Sequence, residues 1–106
     1  MEKILIVDDE QQIIKALERV TRKLPYEIEF CYDPMEVLEK VINGYTMDVI
    51  ISDYRMPELD GVTLIEGVLK KCPKCVPIIM SGNADLTGLQ RAINKIGIFR
   101  FIEKPW

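Results

Sequence analysis

Short apolar runs alternate along this chain with longer stretches in which apolar residues recur every three or four positions, the contrast that separates buried strands from amphipathic helices. The first run, Lys3-Ile-Leu-Ile-Val-Asp8, is rich in β-branched residues and ends in acid, as expected of a strand covered on both faces. Ile13, Ile14, Leu17 and Val20 then keep helical spacing until Pro25, which cannot continue a helix interior, so a first helix is predicted between Glu10 and Lys23. Glu27-Ile-Glu-Phe-Cys31 alternates polar with apolar and predicts a peripheral strand with one face nearer water. Asp33-Pro34-Met-Glu36 combines a capping side chain with a proline suited to the first helical position. The helix it opens draws its buried stripe from Val37, Leu38, Val41 and Ile42, and Asn43-Gly44 ends it.

The pattern then repeats. Asp48-Val-Ile-Ile-Ser-Asp53 is a further apolar strand ending in acid, and Val62, Ile65, Val68 and Leu69 mark a third helix. Pro77 to Ser81 predicts a fourth strand; Leu86, Leu89, Ile93 and Ile96 mark a fourth helix, and Phe99 to Glu103 predict a fifth strand. Strands alternating with helices imply an α/β fold with a parallel sheet and crossover helices. Gly88 falls inside the fourth helix, where it costs about 1 kcal/mol relative to alanine, and the expectation is that this helix is the least rigid.

Composition narrows the picture. With 106 residues, 48% hydrophobic and 29% charged, the chain suits one domain with one core, spanning 1–106. A net charge of −3 offers no basic surface for nucleic acid, so direct DNA or RNA binding is not expected. No apolar run approaches the roughly 20 residues that cross a bilayer, and Met1 is followed by Glu2 and Lys3 rather than by a signal sequence. The expectation is a cytoplasmic protein without membrane association. Its three cysteines, Cys31, Cys72 and Cys75, are an odd number that suits free thiols. Cys72-Pro-Lys-Cys75 has the spacing of a redox pair or half a zinc site, but zinc needs further soft ligands, and the chain has no histidine and one other cysteine. The sequence favours an inert loop there.

Candidate chemistry collects at the strand ends. In an open parallel sheet, ligands bind beyond the carboxyl ends of the strands. Asp8 and Asp9 end the first strand, Asp53 the third, Ser81 the fourth and Lys104 the fifth. Taken singly, Asp9 could cap a helix, Asp53 could start a turn and Lys104 could be a solvated charge. Together they bring acids, a hydroxyl and a cation to one end of one sheet. Three crowded carboxylates repel one another unless a cation joins them, and magnesium, which takes carboxylate, water and phosphate oxygens, suits a site that holds a phosphoryl group. Lys104 supplies positive charge for the phosphate and Ser81 a hydroxyl donor. With no histidine and no placed thiol, the nucleophile is expected to be a carboxylate.

These residues resemble the receiver domain of bacterial response regulators, the chemotaxis-regulator-like superfamily. Val7-Asp8-Asp9-Glu10, Asp53-Tyr-Arg-Met56-Pro57, Asp60-Gly61, Ser81-Gly82 and Lys104-Pro105 look like its motifs, in the right order along almost the whole chain. The resemblance implies a flavodoxin-like doubly wound sheet of five parallel strands in the order 2-1-3-4-5. It implies that Asp53 accepts a phosphoryl group from a phosphohistidine on a sensor histidine kinase or phosphotransfer protein, as a switch rather than a separate enzyme. Asp9, Asp53 and the backbone carbonyl of Arg55 would ligate Mg2+, or Mn2+ in its place, with Asp8 acting through a bound water. Ser81 and Lys104 would grip the phosphoryl group, Phe101 would turn inward as the readout, and an output domain or separate effector would receive the signal. The side chains of Arg55 and Asn83 would set the lifetime of the acyl phosphate.

The sequence departs from the family at Trp106, where a fifth helix would begin. The expectations are a domain truncated before helix 5, with an apolar face left uncovered, and self-association as a homodimer or low stability. Other readings fare worse. A haloacid-dehalogenase-like phosphatase needs Asp-x-Asp on the first strand, where Asp8 and Asp9 are adjacent. Flavodoxin-like cofactor binding needs a loop that cradles phosphate, which Asp8-Asp9-Glu10-Gln11 would repel. A phosphorylation-independent interaction module has no need of the full acidic set.

Overall fold

The computed structural model describes residues 2–82, Asn94 and 100–103. Its element order is β1 (Lys3–Val7), α1 (Gln11–Thr21), β2 (Glu27–Cys31), α2 (Pro34–Ile42), β3 (Val49–Asp53), α3 (Gly61–Lys71), β4 (Val76–Ser81) and β5 (Arg100–Glu103). The strands form one parallel sheet in the order β2-β1-β3-β4-β5, as expected, with β2 at an edge. The fourth helix, including Gly88, lies outside the described residues apart from Asn94.

The apolar runs work because a strand alternates its side chains between two faces. Leu5, Val7, Ile50 and Ile79 point to one face and join Val37 and Val41 of α2 and Leu64, Ile65 and Val68 of α3 in the larger core. Ile6 and Met80 point to the other, where Ile14 and Leu17 of α1 cover them, with Ile4, Ile51 and Ile102 packed alongside. A strand buried on both sides has no polar face, which is why β1 and β3 read as continuous apolar runs.

Helices α2 and α3 start at side-chain caps. The Asp33 carboxylate accepts a hydrogen bond from the Met35 amide at 2.9 Å and caps α2, with Pro34 at its first position. Asp60 likewise accepts from the Thr63 amide at 2.8 Å and caps α3. Asn43 closes α2, and Gly44 follows at φ 99, the left-handed geometry that glycine adopts without strain. Two stripe residues differ from expectation: Val20 is 72% exposed and Ile42 is 67% exposed. At 100° per residue, each lies about a quarter turn or more from the line on which its buried partners sit, Ile14 and Leu17 in α1 and Pro34, Val37 and Val41 in α2.

Burial also sets how the fold responds to alkali. Desolvation pushes the Cys75 thiol from its ordinary 9.0 to about 12, and it raises Cys31 as well. Desolvation, reinforced by the Glu29 and Glu27 carboxylates, raises the Tyr45 phenol. All these groups are neutral when protonated, so above the unfolded values the native state holds protons that the unfolded chain releases. Their contribution is fully present below about pH 9 and is lost as pH climbs toward the folded values. The urea midpoint is expected to fall steadily between about pH 9 and pH 11; a midpoint that stays level would contradict the burial of these groups.

Candidate functional site

The parallel register builds the site. Val7 lies opposite Ser52 and Asp53 opposite Met80, so the residues that close β1, β3 and β4 arrive at the same sheet edge. Asp8 is fully buried at 0% exposure, Asp53 is 5% exposed and Ser81 is 1% exposed. Backbone bonds carry the register past the strand ends: the Asp8 amide donates to the Cys31 carbonyl at 3.1 Å, and the Tyr54 amide to the Met80 carbonyl at 2.8 Å.

Carboxylate oxygens of Asp8, Glu10 and Asp53 all lie within 4.8 Å of one another. The Asp8 Oδ1 also accepts from the Glu10 amide at 2.9 Å, turning the chain sharply after β1 and fixing Asp8 against the start of α1. Glu10 occupies the cap position of α1 without a side-chain capping bond. Its carboxylate is therefore the exposed member of the cluster, above two buried ones. Oxygen donors alone, two of them withdrawn from bulk water, match a small hard divalent cation better than a soft metal.

Other predicted residues take different places. Asp9, partly buried, lines a small side pocket with Asp33 and Glu58 rather than joining the three grouped carboxylates. Arg55 is exposed in the loop after β3. The Ser81 hydroxyl donates to the Gly82 carbonyl at 3.1 Å. Phe101 belongs to β5, paired with Ile79, and its side chain lies outside the described residues, as do Asn83 and Lys104. Glu10 was legible only as part of the Val7-Asp8-Asp9-Glu10 motif; its position one residue before a helix was the signal that could have brought it into the acidic set.

The loop from Asp53 to α3 is held tightly. The Gly61 amide donates to the Tyr54 carbonyl at 2.8 Å, and Glu58 takes a positive φ of 65. Gly61 packs so close to the Asp53 carbonyl that a β-carbon there would collide with it, and would also lie 3.1 Å from Ile79 Cδ1. The first residue of α3 thereby touches the backbone of the central acid.

The five-stranded parallel sheet in the order β2-β1-β3-β4-β5 and its acidic carboxyl edge match the receiver class of signalling domain. The chain belongs to the response regulator receiver domain family of two-component systems, whose family model matches residues 4–106. Domains of this family are phosphoacceptors that bind Mg2+ at an acidic pocket, not classical enzymes. The chain is 35% identical over 103 residues to the hydrogenase transcriptional regulatory protein HoxA of Bradyrhizobium diazoefficiens, covering 97% of this chain and 21% of that protein. It is 32% identical over 103 residues to the DNA-binding transcriptional regulator NtrC of Escherichia coli, covering 97% of this chain and 22% of that protein. This chain thus spans about a fifth of the length of these curated relatives. Among solved structures it is similar to a response regulator receiver domain protein from Clostridium thermocellum, with TM-score 0.88 and 28% identity over 100% of this chain and 84% of that one. No helix among the described residues is long and apolar enough to cross a membrane.

Gly61 and Gly67 make a paired test of this packing. Gly61→Ala is expected to destabilise the fold by about 1–3 kcal/mol, because the new methyl meets backbone that cannot yield. Gly67→Ala meets only the end of the flexible Leu38 side chain and gains helix propensity of about 1 kcal/mol, so it is expected to be near neutral. Urea denaturation of both variants checks the contrast, and equal losses would refute it.

Proposed function

We propose that this chain is a phosphorylation switch in which Asp53 accepts a phosphoryl group from the phosphohistidine of a sensor histidine kinase or phosphotransfer protein. The observation that carries the reading is the convergence of Asp8, Glu10 and Asp53 within 4.8 Å at the carboxyl edge of the sheet, beside buried Ser81. An Asp53 carboxylate oxygen attacks phosphorus, the bond from phosphorus to the histidine nitrogen breaks, and an acyl phosphate forms.

Asp8, Asp9 and Asp53 with the Arg55 carbonyl are the proposed magnesium set, and Glu10 joins it because its carboxylate meets those of Asp8 and Asp53. Magnesium, or manganese in its place, supplies the positive charge that lets these acids and an incoming phosphoryl group share one site. The Ser81 hydroxyl leaves its local bond to Gly82 to hold a phosphoryl oxygen, and Lys104 pairs with another. Movement of Ser81 makes room for Phe101 to turn inward and pass the signal to an output domain or separate effector in the cytoplasm. Driving such a switch from 1:99 to 99:1 requires a differential of about 5.5 kcal/mol, within reach of several charge-assisted hydrogen bonds and metal contacts.

Beryllofluoride, a phosphoryl mimic, tests the acceptor. With Mg2+ it is expected to bind the wild-type chain, and binding should vanish in Asp53→Asn and on removal of the metal. Absence of binding to wild type would instead favour a phosphorylation-independent interaction module. Arg55 is exposed two residues beyond Asp53, where its side chain can overhang the phosphoryl group and govern access of water. Arg55→Ala is expected to change the dephosphorylation rate severalfold in a phosphate-release assay, and an unchanged rate would remove Arg55 from the mechanism.

A further inference from the structure

At the opposite end of the sheet from the acids, the turn between α3 and β4 holds a pair of thiols that the phosphoryl chemistry does not use. Cys72 caps α3, Cys75 directly precedes β4, and the Cys75 amide donates to the Cys72 carbonyl at 3.1 Å. A hydrogen-bonded four-residue turn of this kind keeps its first and last Cα atoms within about 7 Å, which overlaps the roughly 4.4–6.8 Å that a disulfide spans. The Cys72 thiol donates to the Met47 carbonyl at 3.5 Å and the Cys75 thiol to the Val76 carbonyl at 3.9 Å, weak bonds that both give up when the two sulfurs join. Cys72 is partly exposed and flanked by exposed Pro73 and Lys74, whereas Cys75 is only 5% exposed and packs in the core beneath α3. The third cysteine, Cys31, is buried at the far end of β2 and bonds to the Asp33 carbonyl, away from this turn.

We propose that Cys72 and Cys75 are a reversible redox pair that closes an intra-turn disulfide by exchange with an oxidised low-molecular-weight disulfide. The accessible Cys72, as thiolate, attacks one sulfur of the donor; the donor's sulfur–sulfur bond breaks, one donor thiolate leaves, and a mixed disulfide forms. Cys75 then attacks the Cys72 sulfur and passes its proton to the second donor thiolate as that group departs, since burial keeps the Cys75 thiol protonated until then. The pair is oxidised by two electrons, and the donor is reduced to two thiols. Exposure decides the order of events, because an external donor reaches Cys72 and not Cys75. The product staples the end of α3 to the start of β4. It leaves the acidic edge in place, because the carboxylates lie beyond the other ends of the strands.

Treatment of the full chain with oxidised glutathione, followed by intact-mass measurement and thiol titration in denaturant, tests this. The expected result is loss of two hydrogens without a retained adduct, a fall from three titratable thiols to one, and reversal by a reducing agent. Cys31→Ser is expected to keep the mass loss, with no thiol then remaining. Cys72→Ser, a change at a partly exposed position, is expected to abolish it. A stable glutathione adduct on Cys72, unchanged thiols, or a disulfide that requires Cys31 would each overturn the proposal. Beryllofluoride binding by the oxidised chain is expected to stay within about twofold of the reduced chain, and a larger loss would contradict the claim that the acidic edge stays in place.

Discussion

Pairing Val7 with Ser52 in parallel register brings Asp8 and Asp53 together just past the ends of two central strands, and the rest of the site is arranged around that meeting. Charges of the same sign at 4.8 Å repel by about 3.5 kcal/mol at an effective dielectric near 20. The register is nevertheless enforced from both sides, since the chain after β1 bonds to the end of β2 and the chain after β3 bonds to β4. Two apolar layers, one under α1 and one under α2 and α3, supply the burial that offsets the repulsion.

Coupling between the acids and the helices runs through backbone rather than through long side chains. Asp8 accepts from the amide of Glu10, the cap residue of α1, and the carbonyl of Asp53 touches the glycine that begins α3. Neither a backbone carbonyl nor a glycine has rotamers, so this contact ties the end of β3 to the start of α3 with little slack. The thiol turn sits at the other end of that same helix. A phosphoryl group and a disulfide would therefore act on opposite ends of α3, one through its first residue and the other through its cap.

Family membership explains why the acids stand at this edge and also bounds the function they imply. Regulators such as HoxA and NtrC are several times longer than the region they share with this chain. What a receiver controls is decided by the protein around it, so the shared part defines the phosphoacceptor class and not the output.

Much of this was legible from the pattern of residues alone. Continuous apolar runs in β1 and β3, alternation in β2 and the Asp33-Pro34 start of α2 obey local rules of side-chain direction and capping, so the element order and the edge position of β2 could be read directly. Asp53 was singled out by its resemblance to the receiver motifs, since the first apolar run ends in acid as well. The exposure of Val20 and Ile42 was not legible, because a stripe defined by spacing tolerates residues a quarter turn off its axis until a neighbouring surface selects among them. Nor was the choice of Glu10, rather than Asp9, as the third grouped carboxylate. That choice depends on how the chain turns between β1 and α1, where one hydrogen bond from the Glu10 amide to Asp8 sends adjacent side chains in different directions. Sequence by itself determined which residues could do the chemistry and which strand ends would carry them. Tertiary structure alone decided which carboxylates meet, since distance between residues far apart in the chain is set by strand register and packing, not by spacing along it.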